Sequence, residues 1–395
     1  MSRPWCVATL ALLLVASVSA GCDSGRVTGD WHSGSPAVKA EDLDLGDVSV
    51  TGTKVPRGPA EVELARDLEG QRLAEYVVDP YDVDPSYAAT DVPTGLFDDP
   101  RELVNFYPRP GPLAGKVTGF AVSRKQRPWE STMNAVFRFL TPAEAARVAR
   151  AMQADSLKGG SGIAYEDYSA RRVRIPGHPR ALATVAYFSP GEPNLDVYEA
   201  VGPHLVNVYV ASVDKKPETV IRTAAAVLTR QKQRLAEFTP TPADRLTGLT
   251  YPAADLLALT LAPDDSGSSA DAAVYGPLAA AHLQWEPKGM SKAFQAAGVD
   301  FVSFNAATLY RTRGLAEAKS LAKVMTAAAA RRYEEASPPK GLPHARCFAV
   351  EGEPGRAVPY FCQAVRDRYL AEASGKSLDA AQQLLSAQYL LLDKA

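Results

Sequence analysis

The chain is poor in cysteine, in histidine and in net charge, and each shortage excludes a class of function. Four cysteines and five histidines in 395 residues form no C-x-x-C pair and no H-E-x-x-H, the spacings that hold zinc or make redox dithiols. His32, His178, His204, His282 and His344 are scattered, so each reads as an ordinary surface or loop residue. The 43 basic residues balance 45 acidic ones for a net charge of -2. Nucleic-acid binders replace phosphate counterions with a basic excess, so no nucleic-acid partner is expected. A G-x-S-x-G elbow is missing. Two phosphate-loop lookalikes fail on spacing, since Gly375-Lys376-Ser377 has Leu370 where the first glycine must stand and Gly111 to Lys116 is one residue short. No catalytic residue, cofactor or metal is assigned.

Long apolar runs are also scarce. Val7 to Val18 is a run of twelve, against roughly 20 for a spanning helix, and with Arg3 before it and Ser19-Ala20-Gly21-Cys22 after it the segment reads as a signal peptide. Small residues before Cys22 form a lipobox, although Ser19 stands where Leu is usual. Cys22 is the expected lipid anchor, its acyl chains holding the protein at the extracytoplasmic face of a membrane. With Cys6 removed and Cys22 acylated, only Cys347 and Cys362 remain. They flank CFAVEGEPGRAVPYFC, and a hairpin turning between Pro354 and Gly355 would set them opposite each other, so a disulfide is expected.

What is present points to a folded chain of two domains: 46% hydrophobic, 22% charged and too long for one typical domain. The expected divisions are a signal at 1–21, a lipidated flexible tether at 22–47, one domain at 48–240 and a second at 241–395, with the boundary inside the TPTPAD linker, Thr239 to Asp244. The second domain repeats the first. Ala143 to Ala154 aligns with Ala316 to Ala327 at an offset of 173 with six identities, and VFR (Val136 to Arg138) meets LYR (Leu309 to Arg311) at the same offset. Further on, Gly191-Glu192-Pro193 meets Gly352-Glu353-Pro354 and Tyr209 meets Tyr369, at offsets of 161 and 160, which implies about twelve extra residues in the first copy.

Each copy reads as strands followed by helices. Thr141-Pro142-Ala143-Glu144 is a capping box, and Pro217 to about Phe238 has a helical apolar stripe. The expected fold class is α+β: two tandem related domains, each a mainly antiparallel sheet with helices packed on one face, parallel pairs remaining open.

Two charge clusters stand out. Asp79, Asp82, Asp84, Asp91, Asp98 and Asp99 lack calcium-loop spacing and read as Asp-Pro turns. Arg171, Arg172 and Arg174, with His178 and Arg180 nearby, read as a solvated loop or as an anion-binding site for a lipid head group or phosphorylated glycan.

The lipobox, the duplication, the stretch from Arg368 to Asp393, the YGPLAAAHLQWEP segment (Tyr275 to Pro287) and the paired cysteines together resemble an uncharacterised family of actinobacterial cell-envelope lipoproteins. The resemblance implies an exported, membrane-tethered protein of two related domains with no activity to transfer. A fainter likeness is to extracellular sensor domains of bacterial receptor kinases. Function is therefore expected to be non-catalytic binding of an envelope lipid, glycan or protein, with the cleft between the copies as the candidate place; an envelope-polymer hydrolase and an accessory subunit of a transporter or sensor are the alternatives.

Overall fold

The computed structural model describes residues 38–97, 116–127, 130–159, 168–187, 192–213, 216–267, 269, 272–284, 287, 289–349 and 360–393. These lie in one compact unit, Ser35–Ala395. The chain enters by a helix α1 (Val62–Ala74) and a short α2 (Pro80–Val83), then builds β1 (Ala89–Phe97), β2 (Lys116–Arg127), β3 (Glu130–Phe139), α3 (Pro142–Ser156), β4 (Ser169–Ile175), β5 (His178–Tyr187), β6 (Pro193–Val201), β7 (His204–Ala211) and α4 (Pro217–Leu235). After α5 (Ala254–Ala258) come β8 (Ala273–Tyr275), α6 (Pro277–His282), α7 (Met290–Ala297), β9 (Phe301–Phe304), β10 (Thr308–Arg311), α8 (Leu315–Ala329), β11 (Glu334–Ala336), β12 (Arg346–Ala349), β13 (Tyr360–Arg366), β14 (Tyr369–Gly375) and α9 (Leu378–Asp393).

The two sheets have the same order. The first runs β1-β2-β3-β7-β6-β5-β4 and the second, read from its other end, β8-β9-β10-β14-β13-β12-β11. All described pairs are antiparallel, which settles the question of parallel crossovers. The ladders also correct the alignment. Arg138 faces His204 and Arg311 faces Tyr369. From Arg138 to Arg311 the offset is 173 and from His204 to Tyr369 it is 165, so Tyr369 answers to His204 and not to Tyr209. The first copy is longer by about eight residues between these strands, not twelve.

Helices cover both faces of each sheet, where one covered face was expected. On the first sheet α4 packs through Val220, Val227 and Leu228 on Phe120, Val136 and Val197, while α3 packs through Ala145, Val148 and Met152 on the opposite side chains, Ala121, Phe137 and Tyr198. On the second, Leu321 and Met325 of α8 share a core with Tyr310 and Leu370, and Leu385 and Leu390 of α9 share one with Leu309 and Ala371. Central strands therefore bury successive residues, as in β3 and β7. A strand covered on both sides has no polar face to alternate with.

Local signals explain several elements. Thr141 Oγ1 accepts from the Glu144 amide and the Glu144 carboxylate accepts from the Thr141 amide, both at 3.2 Å, completing the capping box of α3. β13 and β14 are turned into each other at Asp367, whose φ of 49° is the one positive value at a non-glycine among the described residues. Aspartate tolerates that left-handed conformation better than most residues. The arginine run lies on a strand, β4, and not in a loop.

The chain's first described segment packs away from the first sheet. Residues 38–60, assigned by sequence partly to the tether and partly to the first domain, lie against the second sheet's core: Leu43 and Ala60 are buried with Leu256, Leu385 and Leu392, and Val48 and Val50 pack against the same cluster. Gly52 bridges Leu261, and a Cβ there would meet the Ala258 carbonyl oxygen at 2.2 Å, so only glycine permits the approach.

Candidate functional site

Where the two copies meet, the described residues place a packed core and an ionic seam instead of an open cleft. One cluster joins Leu73, Val77 and Phe120 to Tyr275, Ala279 and Phe294. Alongside it, α1 and the turn after it are stitched to the strand and helix at 274–282 with nearly constant spacing. Gln71 accepts from the Val274 amide at 3.0 Å, Glu75 from the Leu278 and Ala279 amides at 3.3 and 2.8 Å, and Asp79 faces His282 Nδ1 at 3.3 Å; the partners are 203, 203, 204 and 203 residues apart. Glu75 thus caps the N-terminus of α6, where a negative charge suits the exposed amides. Burial nonetheless raises its pKa, outweighing those amides. Apart from Val274, the residues on this side of the seam fall within the Tyr275 to Pro287 segment singled out by sequence.

Asp79 is the centre of the seam. Its carboxylate receives Arg124 Nε at 3.0 Å and Nη2 at 2.6 Å, and that guanidinium, with no exposed surface, also donates to the His282 carbonyl at 3.1 Å. Burial alone would raise the Asp79 pKa; the hydrogen bond from His282 and the charge of Arg124 outweigh it and hold the carboxyl at about 2. Asp79 also accepts from the Tyr81 amide, so the turn role read from Asp-Pro is present as well. His282 Nε2 meets the Val77 carbonyl at 3.0 Å. Both ring nitrogens are therefore occupied by protein acceptors, leaving none for a substrate.

Other buried polar groups are similarly engaged. Glu69 is paired with Arg138 and with Arg72, and Thr241 donates to it through both its amide and its hydroxyl. Glu199 meets Lys232 Nζ at 2.6 Å and His178 Nδ1 at 3.5 Å. His178, His204 and His282 are all buried, against the surface or loop reading; His344 is exposed and His32 lies outside the described residues. Burial drives the His204 pKa down to about 4. Asp196 differs. Ser156 Oγ donates to its Oδ2 at 2.8 Å, while its buried Oδ1 has no partner and no cation pairs with it among the described residues. Burial pushes its pKa up to about 6 despite the bonds from Ser156 and Tyr198.

The sequence-derived sites are not brought together. Cys347 and Cys362 are directly opposite on β12 and β13, bonded, with Cα atoms 4.0 Å apart and no exposed surface; the Pro354-Gly355 turn lies outside the described residues. Arg171, Arg172 and Arg174 are exposed on β4, an edge strand paired only with β5 among the described residues. None of the three makes an ion pair with another described residue. Cys22 lies outside the described residues. Among those residues no three His, Cys, Asp or Glu side chains are grouped to hold a metal ion, and no helix is long and apolar enough to cross a membrane. An open depression of about 450 Å³ lies between Asp47–Ser49, Ala262–Asp265 and α9.

Sequence reasoning missed the seam because its partners are some two hundred residues apart, and no local pattern announces such pairing. The small residues of YGPLAAAH were the available signal, since they let α6 approach closely.

No curated protein matches the chain. Among solved structures it is similar to the extracellular domain of PknH from Mycobacterium tuberculosis, at 13% identity over 45% of this chain and 100% of that one; the TM-score of 0.29 is too low for the likeness to carry a role. Two domain models do match, described as the N-terminal and C-terminal parts of Domain of unknown function (DUF7373), at residues 57–251 and 256–395. With both parts present in order over most of its length, the chain belongs to this two-domain family of unknown function.

Proposed function

We propose that the chain is exported, held at the outer face of a cell membrane by lipid on Cys22, and serves there as a non-catalytic binding module for an acidic envelope partner. The observation that carries this reading is the fully buried Cys347–Cys362 disulfide, because such bonds persist in oxidising compartments outside the cytosol. It agrees with the signal and lipobox read at residues 1–22. The actinobacterial envelope family that the sequence resembles has the same organisation. Binding is favoured over catalysis because Asp79, Arg124 and His282 are committed to one another. The contact surface is the exposed arginine edge, Arg171, Arg172 and Arg174, where guanidinium groups suit carboxylate or phosphate.

The test is fractionation of cells producing the full chain. Intact Cys22 should partition with membranes and incorporate a labelled fatty acid, while Cys22→Ser should be released. Membrane retention of Cys22→Ser without label would overturn the anchoring.

A further inference from the structure

The same strand position in the two sheets carries opposite charge. β4 ends the first sheet and β11 ends the second, each as the fourth strand of its sheet in chain order, directly after the helix (α3 or α8) that follows the third strand. β4 exposes Arg171, Arg172 and Arg174, whereas β11 exposes Glu334 and Glu335. Neither outer edge is paired with another described strand, so each presents backbone amides and carbonyls in a row. The basic residues beside β11 are turned to their own helix end: Arg331 donates to the Ala327 carbonyl at 3.2 Å, and Arg332 lies over the Tyr333 ring. Among the described residues Glu335 pairs with Arg346 alone, in an ion pair more than half exposed on both sides, which exchanges partners easily.

The geometry points to the acidic partner of β4 being β11 of a second copy of this chain. The proposal rests on the reading of the arginine edge as an acidic-partner surface and names the partner. Charge selects this pairing by elimination. Two β4 edges would set arginine on arginine, and two β11 edges glutamate on glutamate. Only the mixed contact is complementary, and like charges facing each other are what excludes wrong partners. Such a contact is head-to-tail, leaving a free β4 at one end and a free β11 at the other, so it propagates into open chains instead of closing as a dimer. With only three residues in β11 the contact is weak between free molecules. Confinement to one membrane surface raises the effective concentration and makes it count.

The test uses the chain from residue 22 onward with Cys22→Ser, followed by sedimentation velocity at low and at physiological salt. One variant carries Arg171→Glu, Arg172→Glu and Arg174→Glu; a second carries Glu334→Arg and Glu335→Arg. The unaltered edges should associate with concentration, less so as salt rises. Each variant alone should bind itself about tenfold or more weakly. An equimolar mixture of the two should recover association, because every mixed contact is again between opposite charges. Arginine-to-glutamine and glutamate-to-glutamine versions, with circular dichroism, separate lost contact from lost fold. A chain that stays monomeric at every concentration, or a mixture that fails to recover, overturns the proposal. If it fails while the arginine variant also loses capture by phosphatidylglycerol vesicles, the acidic partner is a lipid head group and the underlying reading survives. If neither partner is bound, both fall.

Discussion

At one place in the ladder the first sheet sets Ala183 against Val197, and the second sets Cys347 against Cys362. One strand position earlier on β6 and β13, the first buries Asp196 where the second buries Phe361, stacked on Phe348. The two copies have the same strand order but secure it differently. The first has strands of eight to twelve residues at its centre, β2, β3, β5, β6 and β7; in the second, β9, β10 and β12 have four each. Short strands supply fewer ladder bonds and less covered surface, so the second sheet adds a covalent link and the segment at 38–60. Topology is thus shared, while the means of stabilisation are separately adjustable.

The comparison breaks most severely at the seam. Arg124→Leu leaves Asp79 buried beside His282 without its guanidinium and should cost about 3–5 kcal/mol, the usual penalty for stranding one member of a buried pair. Urea unfolding should then show two transitions where the unaltered chain shows one, because the seam is what makes the copies melt together. A single unshifted transition would deny the seam that role. Next, giving the second sheet the first sheet's residues, Cys347→Ala with Cys362→Val, should cost about 3 kcal/mol in the chain-entropy model for a 15-residue separation. Hydrogen exchange should rise in β12 and β13 and stay unchanged in β5 and β6.

The smallest expected effect lies at Asp196 and depends on pH. Its folded pKa, about 6, lies above the ordinary 3.8, so the folded state holds the proton more tightly. Its stabilising contribution is full below about pH 4, is lost as pH rises to about 6 and stays lost above. Asp196→Asn should flatten that slope and raise stability at pH 7 by about 2–3 kcal/mol, at 1.36 kcal/mol per pKa unit, less what the amide loses at Ser156. Equal slopes in both chains between pH 4 and 6 would assign the carboxyl no such role.

The sequence made legible those features that depend on nearby residues. The capping box at Thr141, the α4 stripe and the Cys347–Cys362 pairing depend on spacings of a few to fifteen residues. The repeat was visible where helices aligned but slipped at the last strand, because Tyr209-Val210-Ala211 and Tyr369-Leu370-Ala371 are similar without being equivalent in the ladder. β6 is hidden in the sequence because Asp196 and Glu199 are buried in it, against the apolar pattern that marks a core strand. α1 gave no helical stripe because Glu69 and Gln71 are buried along with Leu68 and Leu73. The arginine edge was found as a charge run, but only the sheet order shows that β11 occupies the matching position with the opposite sign.

The Gly52–Leu261 bridge has a mechanical consequence. Residues 38–60 lead into the second sheet's core before the chain reaches the first sheet. Tension applied at the N-terminus is therefore delivered first to the disulfide-braced part of the molecule. The first sheet lies downstream of that load, shielded until the segment peels from α5 and α9.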